Sequence, residues 1–119
     1  MNKPFITGPV IGDSRGEPRR PWERKATLSI GSQPPTMVRT CDISLSGMGI
    51  FSDEPILPGT VCAVSVTFPV GDRISTISIT GQSVFCILVG QKGYRIGIQI
   101  TDADTNTRRL IKQLLQLNS

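Results

Sequence analysis

From Lys25 onward the chain alternates apolar and polar residues in short runs divided by turn residues, the period of two that predicts half-buried β-strands. The cleanest run sets Cys62, Val64, Val66 and Phe68 against Ala63, Ser65 and Thr67. Thr27–Ile30, Met37–Ile43 and Met48–Ser52 precede it, and Ile96, Ile98 and Ile100 alternate with Gly97 and Gln99 near the end. Between these, Ile77 and Ile79 belong to a long strand that continues past Gly81 to Leu88, with Gly81 marking a bulge or bend. Turn chemistry separates the runs at Gly31 to Pro35, Ser44 to Gly47, Asp53 to Gly59, Pro69 to Asp72 and Gly90 to Gly93. The period then becomes helical: Asp102 or Asp104 is placed to cap a helix whose Leu110, Ile111, Leu114 and Leu115 share one face. Arg108, Arg109 and Lys112 fall on its solvated side. About six antiparallel strands and one terminal helix predict a mainly β domain, a small barrel or sandwich with the helix packed on it.

The residues before Lys25 break this order. They carry Pro4, Pro9, Pro18 and Pro21, three glycines and no apolar period, which predicts a flexible or extended arm (1–18) leading into one domain (19–117). A single domain of this length buries a sufficient core without disulfides or metals. Cys41, Cys62 and Cys86 agree with that: they are odd in number, widely spaced and set in apolar or β-branched runs, as free buried thiols are. No run approaches the roughly 18 apolar residues that span a bilayer, and Met1 to Gly12 lack the apolar stretch of an export signal. The expected location is therefore the cytoplasm, without membrane insertion.

Charge and one missing residue type narrow the function. The chain has no histidine, which removes the commonest general base, the commonest transition-metal ligand and every Ser–His or Cys–His nucleophile pair. A binding protein without a cofactor is expected rather than an enzyme. The net charge is +4, and between Arg15 and Lys25 five cations face two carboxylates, which accounts for most of it. A concentrated basic segment beside a neutral body suits one anionic ligand better than a long polyanion.

Two local patterns carry the chemistry. Arg20-Pro21-Trp22-Glu23-Arg24 is an Arg-x-x-x-Arg just before the first strand, and Asp42-Ile43-Ser44-Leu45-Ser46-Gly47 is an Asp-x-Ser-x-x-Gly at a strand junction about 20 residues later. In these motifs, their order, the strand order and the terminal helix, residues 19 to 117 resemble the PilZ domain family, bacterial receptors for cyclic di-GMP. The resemblance implies a six-stranded antiparallel PilZ-type β-barrel with a C-terminal α-helix, and cyclic di-GMP bound by Arg19, Arg20, Arg24, Asp42, Ser44 and Gly47. It also implies that an arginine at position 19 accompanies an intercalated ligand dimer.

The residue types suit that ligand, which presents two phosphodiester anions and two guanines. Arginine's planar fork pairs two phosphate oxygens or the O6/N7 edge of guanine, and it stacks on purine faces. On a flexible arm, Arg20 and Arg24 close over a ligand lying on the barrel. An ionised Asp42 only accepts, which matches the N1–H and amine edge of guanine, and Ser44 adds a hydroxyl that donates or accepts. A hairpin held by an Asx-turn, with Ser44 bonding locally, is the competing local reading of the same residues. Gly47 either turns the backbone at positive φ or lets it approach the ligand. Trp22 stacks on a guanine or, the favoured reading, anchors the arm in the core. Arg95 either reaches the ligand or is an exposed strand arginine, the favoured reading, and Gly97 matches a small residue common there in the family.

As the family implies, binding would order the arm and relay the signal to an unidentified protein controlling motility, biofilm or exopolysaccharide, or virulence; no DNA partner is expected. Two alternatives stay open: a pilus or flagellar assembly scaffold that does not need the ligand, and a small-barrel binder of single-stranded nucleic acid. The latter wants exposed aromatic platforms, and most of the six aromatics occupy core-like positions.

Overall fold

Alternate residues of the central strands do face inward, as their period requires: Val64 and Val66, Ile77 and Ile79, and Ile96 and Ile98 are all buried. Each such side chain contributes about 1.5–3 kcal/mol by leaving water. The computed structural model describes residues 17–116. Its elements are β1 (Arg20–Pro21), β2 (Lys25–Ser29), β3 (Thr36–Ile43), β4 (Gly47–Ser52), β5 (Val61–Val70), β6 (Arg73–Leu88), β7 (Tyr94–Ala103) and α1 (Thr105–Gln116). The strands pair antiparallel in the order β1-β3-β2-β5-β6-β7-β4, and β4 pairs back onto β3. Six strands, β2 to β7, thus close into a barrel rather than a sandwich. The seventh, β1, lies beside the end of β3 that β2 leaves uncovered: β2 pairs residues 36–39 of β3, and β1 pairs Asp42 and Ile43.

The long strand β6 bends twice. Its register shifts between Thr80 and Gly81, where a bulge was expected, and again between Ser83 and Phe85. At Gly81 a Cβ would come within 2.5 Å of the Gln99 carbonyl oxygen, so only glycine lets β7 lie that close. The strand also begins earlier than its apolar alternation, at Arg73. Residues 73–76 pair with 67–70 as a hairpin whose strand-start residues Arg73 and Ile74 are exposed, and the Thr67 and Thr76 hydroxyls meet at 3.0 Å. With little buried on that hairpin, its ladder leaves little apolar period to read.

Helix α1 starts where its cap predicts. The Asp104 carboxylate accepts the Thr107 N–H at 2.7 Å, satisfying a first-turn donor. The Thr107 hydroxyl in turn accepts the Ser78 N–H at 3.1 Å, tying the helix start to β6. Leu110, Ile111 and Leu114 are buried and Leu115 is half-buried, on the face expected. No helix among the described residues is long and apolar enough to cross a membrane.

The segment before β2 differs from a free linker. The arm predicted over residues 1–18 lies outside the described residues except for Glu17 and Pro18, but residues 19–25 are packed against the barrel. Trp22 is buried at the barrel end and meets Phe68 edge-on, with ring centroids 5.2 Å apart. The backbone around it is fastened to β3: the Trp22 N–H donates to the Cys41 carbonyl, and the Thr40 N–H to that of Arg24. The fully buried Thr40 hydroxyl donates to the Trp22 carbonyl at 2.5 Å and accepts the Arg24 N–H at 2.9 Å. Of the two readings of Trp22, the core anchor is the one observed.

Two substitutions test this packing. Asp104→Ala removes the helix cap and is expected to cost about 1 kcal/mol, a fall of about 4 °C in Tm by calorimetry. Thr40→Val leaves the Trp22 carbonyl and the Arg24 N–H without partners at unchanged side-chain volume. It is expected to cost about 2 kcal/mol and, in hydrogen–deuterium exchange, to strip protection from the Arg24 amide before that of β5 or β6.

Candidate ligand-binding site

Strict alternation along β3 would place Asp42 on the same face as Thr40, inside the barrel. The register instead shifts between Thr40 and Asp42, so that Cys41 is an extra residue. Thr40 and Ile43 are both fully buried, while Cys41 and Asp42 both lie on the outer face over Gly49. A Cβ on Gly49 would stand 2.8 Å from the Cys41 sulfur and 2.9 Å from Asp42 Oδ1. The missing side chain of Gly49 therefore makes room for the carboxylate. Nothing in the sequence had singled it out beyond being a glycine within a strand.

Two arginines hold that carboxylate. Arg19 Nη2 donates to Oδ1 at 2.9 Å, and Arg95 Nη2 donates to Oδ2 at 3.0 Å. Asp42 keeps 16% of its side chain exposed, against 43% for Arg19 and 44% for Arg95, so the cations stand at the rim. Arg95 is an exposed strand residue, as expected, and it also pairs with Asp42.

Strand register explains why Arg19, and not Arg20, meets Asp42. Directly paired residues share a face, and β1 pairs Arg20 with Ile43 and Pro21 with Asp42. Arg20 thus points to the inner side with Ile43, and its neighbour Arg19 points outward. Arg20 Nη1 donates to the Leu114 carbonyl in the last turn of α1 at 2.6 Å, and its Nε is buried without a partner among the described residues. Arg24 holds its guanidinium 5.9 Å from the centre of the Phe68 ring. Arg20 and Arg24 line a cleft of about 460 Å³ between the arm, the β5–β6 turn and α1, with Trp22, Phe68 and Leu114. The structure so divides the six sequence candidates: Arg19 and Asp42 come together, and Arg20 and Arg24 stand together on the other side of the arm.

Ser44 and Gly47 build the turn between β3 and β4. The Ser44 N–H donates to the Gly47 carbonyl at 2.9 Å, and the fully buried Ser44 hydroxyl accepts the Gly47 N–H at 3.1 Å. The local role foreseen for Ser44 is therefore present. Gly47 does not have positive φ; a Cβ there would stand 3.1 Å from the Ile98 carbonyl oxygen, so close approach of β7 is the constraint. Next to it, the Glu17 carboxylate accepts from the Ser46 hydroxyl at 2.8 Å and from the Ser46 N–H at 3.3 Å, which fixes where the arm arrives.

Two of the three thiols are held away from the thiolate form. Burial, with the Asp42 carboxylate adding to it, pushes the Cys41 thiol above its ordinary range, and burial does the same for Cys62. Both stay protonated at neutral pH. No group of three His, Cys, Asp or Glu side chains among the described residues is arranged to hold a metal ion.

Comparison with known proteins follows this geometry. The PilZ domain model matches residues 13–117. Among solved structures, the PilZ domain with c-di-GMP of YcgR from Escherichia coli superposes with a TM-score of 0.66 at 14% identity, covering 87% of this chain and 89% of that one. The inhibitor of motility MotI/DgrA from Bacillus subtilis gives 0.76 at 11% identity over 88% of this chain, and this chain spans only 52% of that protein. The MrkH–c-di-GMP complex from K. pneumonia gives 0.62 at 14% identity, covering 87% of this chain and 52% of that one. At such identities these likenesses show a shared fold. No curated protein sequence matches the chain. With the family model covering all the described residues, and a closed six-stranded barrel carrying a C-terminal helix, the chain belongs to the PilZ domain family.

Proposed function

We propose that this protein is a cytoplasmic receptor for cyclic di-GMP that works by binding rather than catalysis. The observation that carries the reading is the outward carboxylate of Asp42, held over Gly49 by two arginine forks in a chain of this family. A guanidinium presents a planar row of N–H donors, and so does the N1–H and amine edge of guanine. Arg19 and Arg95 thus occupy Asp42 with the same chemistry that a guanine would bring. Exposed ion pairs of this kind are worth about 0–1 kcal/mol each, so giving them up to a guanine edge would cost little. The exchange also frees two guanidinium groups to turn to the phosphodiesters or the O6/N7 edge. That two similar folds were solved with c-di-GMP supports the choice of ligand.

Arg20 and Arg24 would join from the other side of the arm. Only two residues of β1 pair with β3, so lifting it breaks few ladder bonds. Arg20 would then leave the Leu114 carbonyl, coupling ligand capture to the last turn of α1. Moving such a segment draws on part of the gross interaction energy, so the device would be a hinged arm that the ligand repositions. The reshaped arm and helix end would engage a downstream protein in motility, biofilm or virulence control. Arg19, already at the site, fits a pair of intercalated ligands.

Isothermal titration of cyclic di-GMP, with GMP and cyclic di-AMP as controls, tests the reading. Saturable, guanine-selective binding with two ligands per chain is expected, falling at least tenfold in Arg20→Ala and Asp42→Ala. No heat at high micromolar ligand from a folded protein would sink it in favour of an assembly scaffold.

A further inference from the structure

Across the outer wall, Asp42 of β3, Gly49 of β4, Gly97 of β7 and Phe85 of β6 stand in one row, each paired with the next. The two middle positions carry no side chain, and the two outer residues lie down over them. A Cβ on Gly49 would touch the Asp42 carboxylate, and one on Gly97 would come within 2.2–2.8 Å of three carbons of the Phe85 ring. The ring therefore lies over the bare backbone of β7. The bulge between Ser83 and Phe85 puts it there, since strict alternation from the buried Ser83 would turn Phe85 inward and pair it with Ile96 rather than Gly97.

Cβ positions on directly paired residues stand about 4.5–5.5 Å apart. Three such steps lie between Asp42 and Phe85, and the two side chains lean toward one another over the glycines that separate them. Arg95, two residues before Gly97 on the same face of β7, completes the border through its bond to Asp42. Phe85 is 37% exposed, the one aromatic side chain in the exposed class among the described residues. Trp22 and Phe68 bury each other, and Phe51 and Tyr94 are half-buried.

We infer that Phe85 is the stacking platform that positions a purine of the ligand while Asp42 accepts from its donor edge, and that Gly97 is the residue that lets the ring lie low enough. The inference rests on the receptor reading and names a further ligand-contacting residue for that site outside both sequence motifs. An aromatic ring in water beside a carboxylate and an arginine offers a base its face, its acceptor and its cation together. The competing role for Phe85 is structural: a ring covering a glycine in the neighbouring strand also shields that strand's backbone.

Affinity measured beside stability separates the two roles. Phe85→Leu keeps an apolar cover on Gly97 but has no aromatic face, Phe85→Trp enlarges the face, and Phe85→Ala removes both. Titrated with cyclic di-GMP, Phe85→Leu and Phe85→Ala are expected to bind about tenfold more weakly, with Phe85→Leu keeping the wild-type Tm. Phe85→Trp is expected to hold wild-type affinity, and its indole fluorescence to change at saturation beyond any change from Trp22 in the wild type. If the wild type binds and Phe85→Leu binds equally well, the platform is overturned and the receptor stands. Affinity losses that follow Tm across all three variants overturn it as well, in favour of the structural role. If the wild type binds no cyclic di-GMP, the receptor reading falls and the platform falls with it.

Discussion

A strand that buries Thr40 and alternates strictly would bury Asp42 and expose Ile43. β3 escapes this because Cys41 is inserted between two ladder positions, and every later residue of the strand changes face. The consequence is double. Ile43 enters the core fully buried, and the carboxylate leaves it for the outer wall. An unpaired carboxylate inside this apolar barrel would be prohibitively destabilising or would be forced neutral. Outside, over a glycine, it lies within reach of water and meets cations. Core and candidate site are therefore products of the same inserted residue.

The arm inherits its two faces from that geometry. Because β1 pairs Pro21 with Asp42 and Arg20 with Ile43, adjacent arginines are sent to opposite sides. Arg19 reaches the carboxylate, and Arg20 reaches the end of α1. A cation at a helix C-terminus is favourable because the last carbonyls lack intrahelical partners and carry the negative end of the helix dipole. The arm thus links the outer wall to the helix through residues adjacent in sequence. In the proposed receptor, that adjacency lets an event at Asp42 be felt at Leu114 without passing through the barrel.

Much of this was legible in the sequence where period or capping chemistry speaks. β5, β7 and the cap of α1 follow from the alternation around Val64, from Ile96 and Ile98, and from Asp104. The Gly81 bulge was visible because glycine interrupts an otherwise regular run. The bulges at Cys41 and Val84 were not, because an inserted cysteine or valine in an apolar run resembles continued strand. Without the first bulge there is no way to know that Asp42 faces outward. Without the β1 register there is no way to choose Arg19 over Arg20 as its partner. Arg95 was visible as a residue but not as a partner, because the pairing joins positions 53 residues apart through two intervening ladders. Trp22 was readable as an anchor because a lone large apolar side chain in a polar segment has little else to gain from folding.

The division between a stiff wall and a loosely held arm follows from numbers of bonds. β6 is paired along its length, to β5 over residues 73–82 and to β7 over residues 79–88, and β4 and β7 are paired through six consecutive residues, so the glycine floor cannot shift without breaking a ladder. The arm is held by a two-residue strand, a few bonds around Thr40, the Arg19–Asp42 ion pair and the Arg20 bond to Leu114. Trp22 is the exception, a buried anchor in the middle of the weak segment. It lets the residues before it, Arg19 and Arg20, lift from β3 while Thr40 and the core keep the chain attached at Trp22 to Arg24. A ligand drawing on both sets of arginines would therefore pivot the arm about Trp22 rather than release it. Thr40 lies behind that pivot, so loss of its hydroxyl would disturb the switch without touching any residue that faces the ligand.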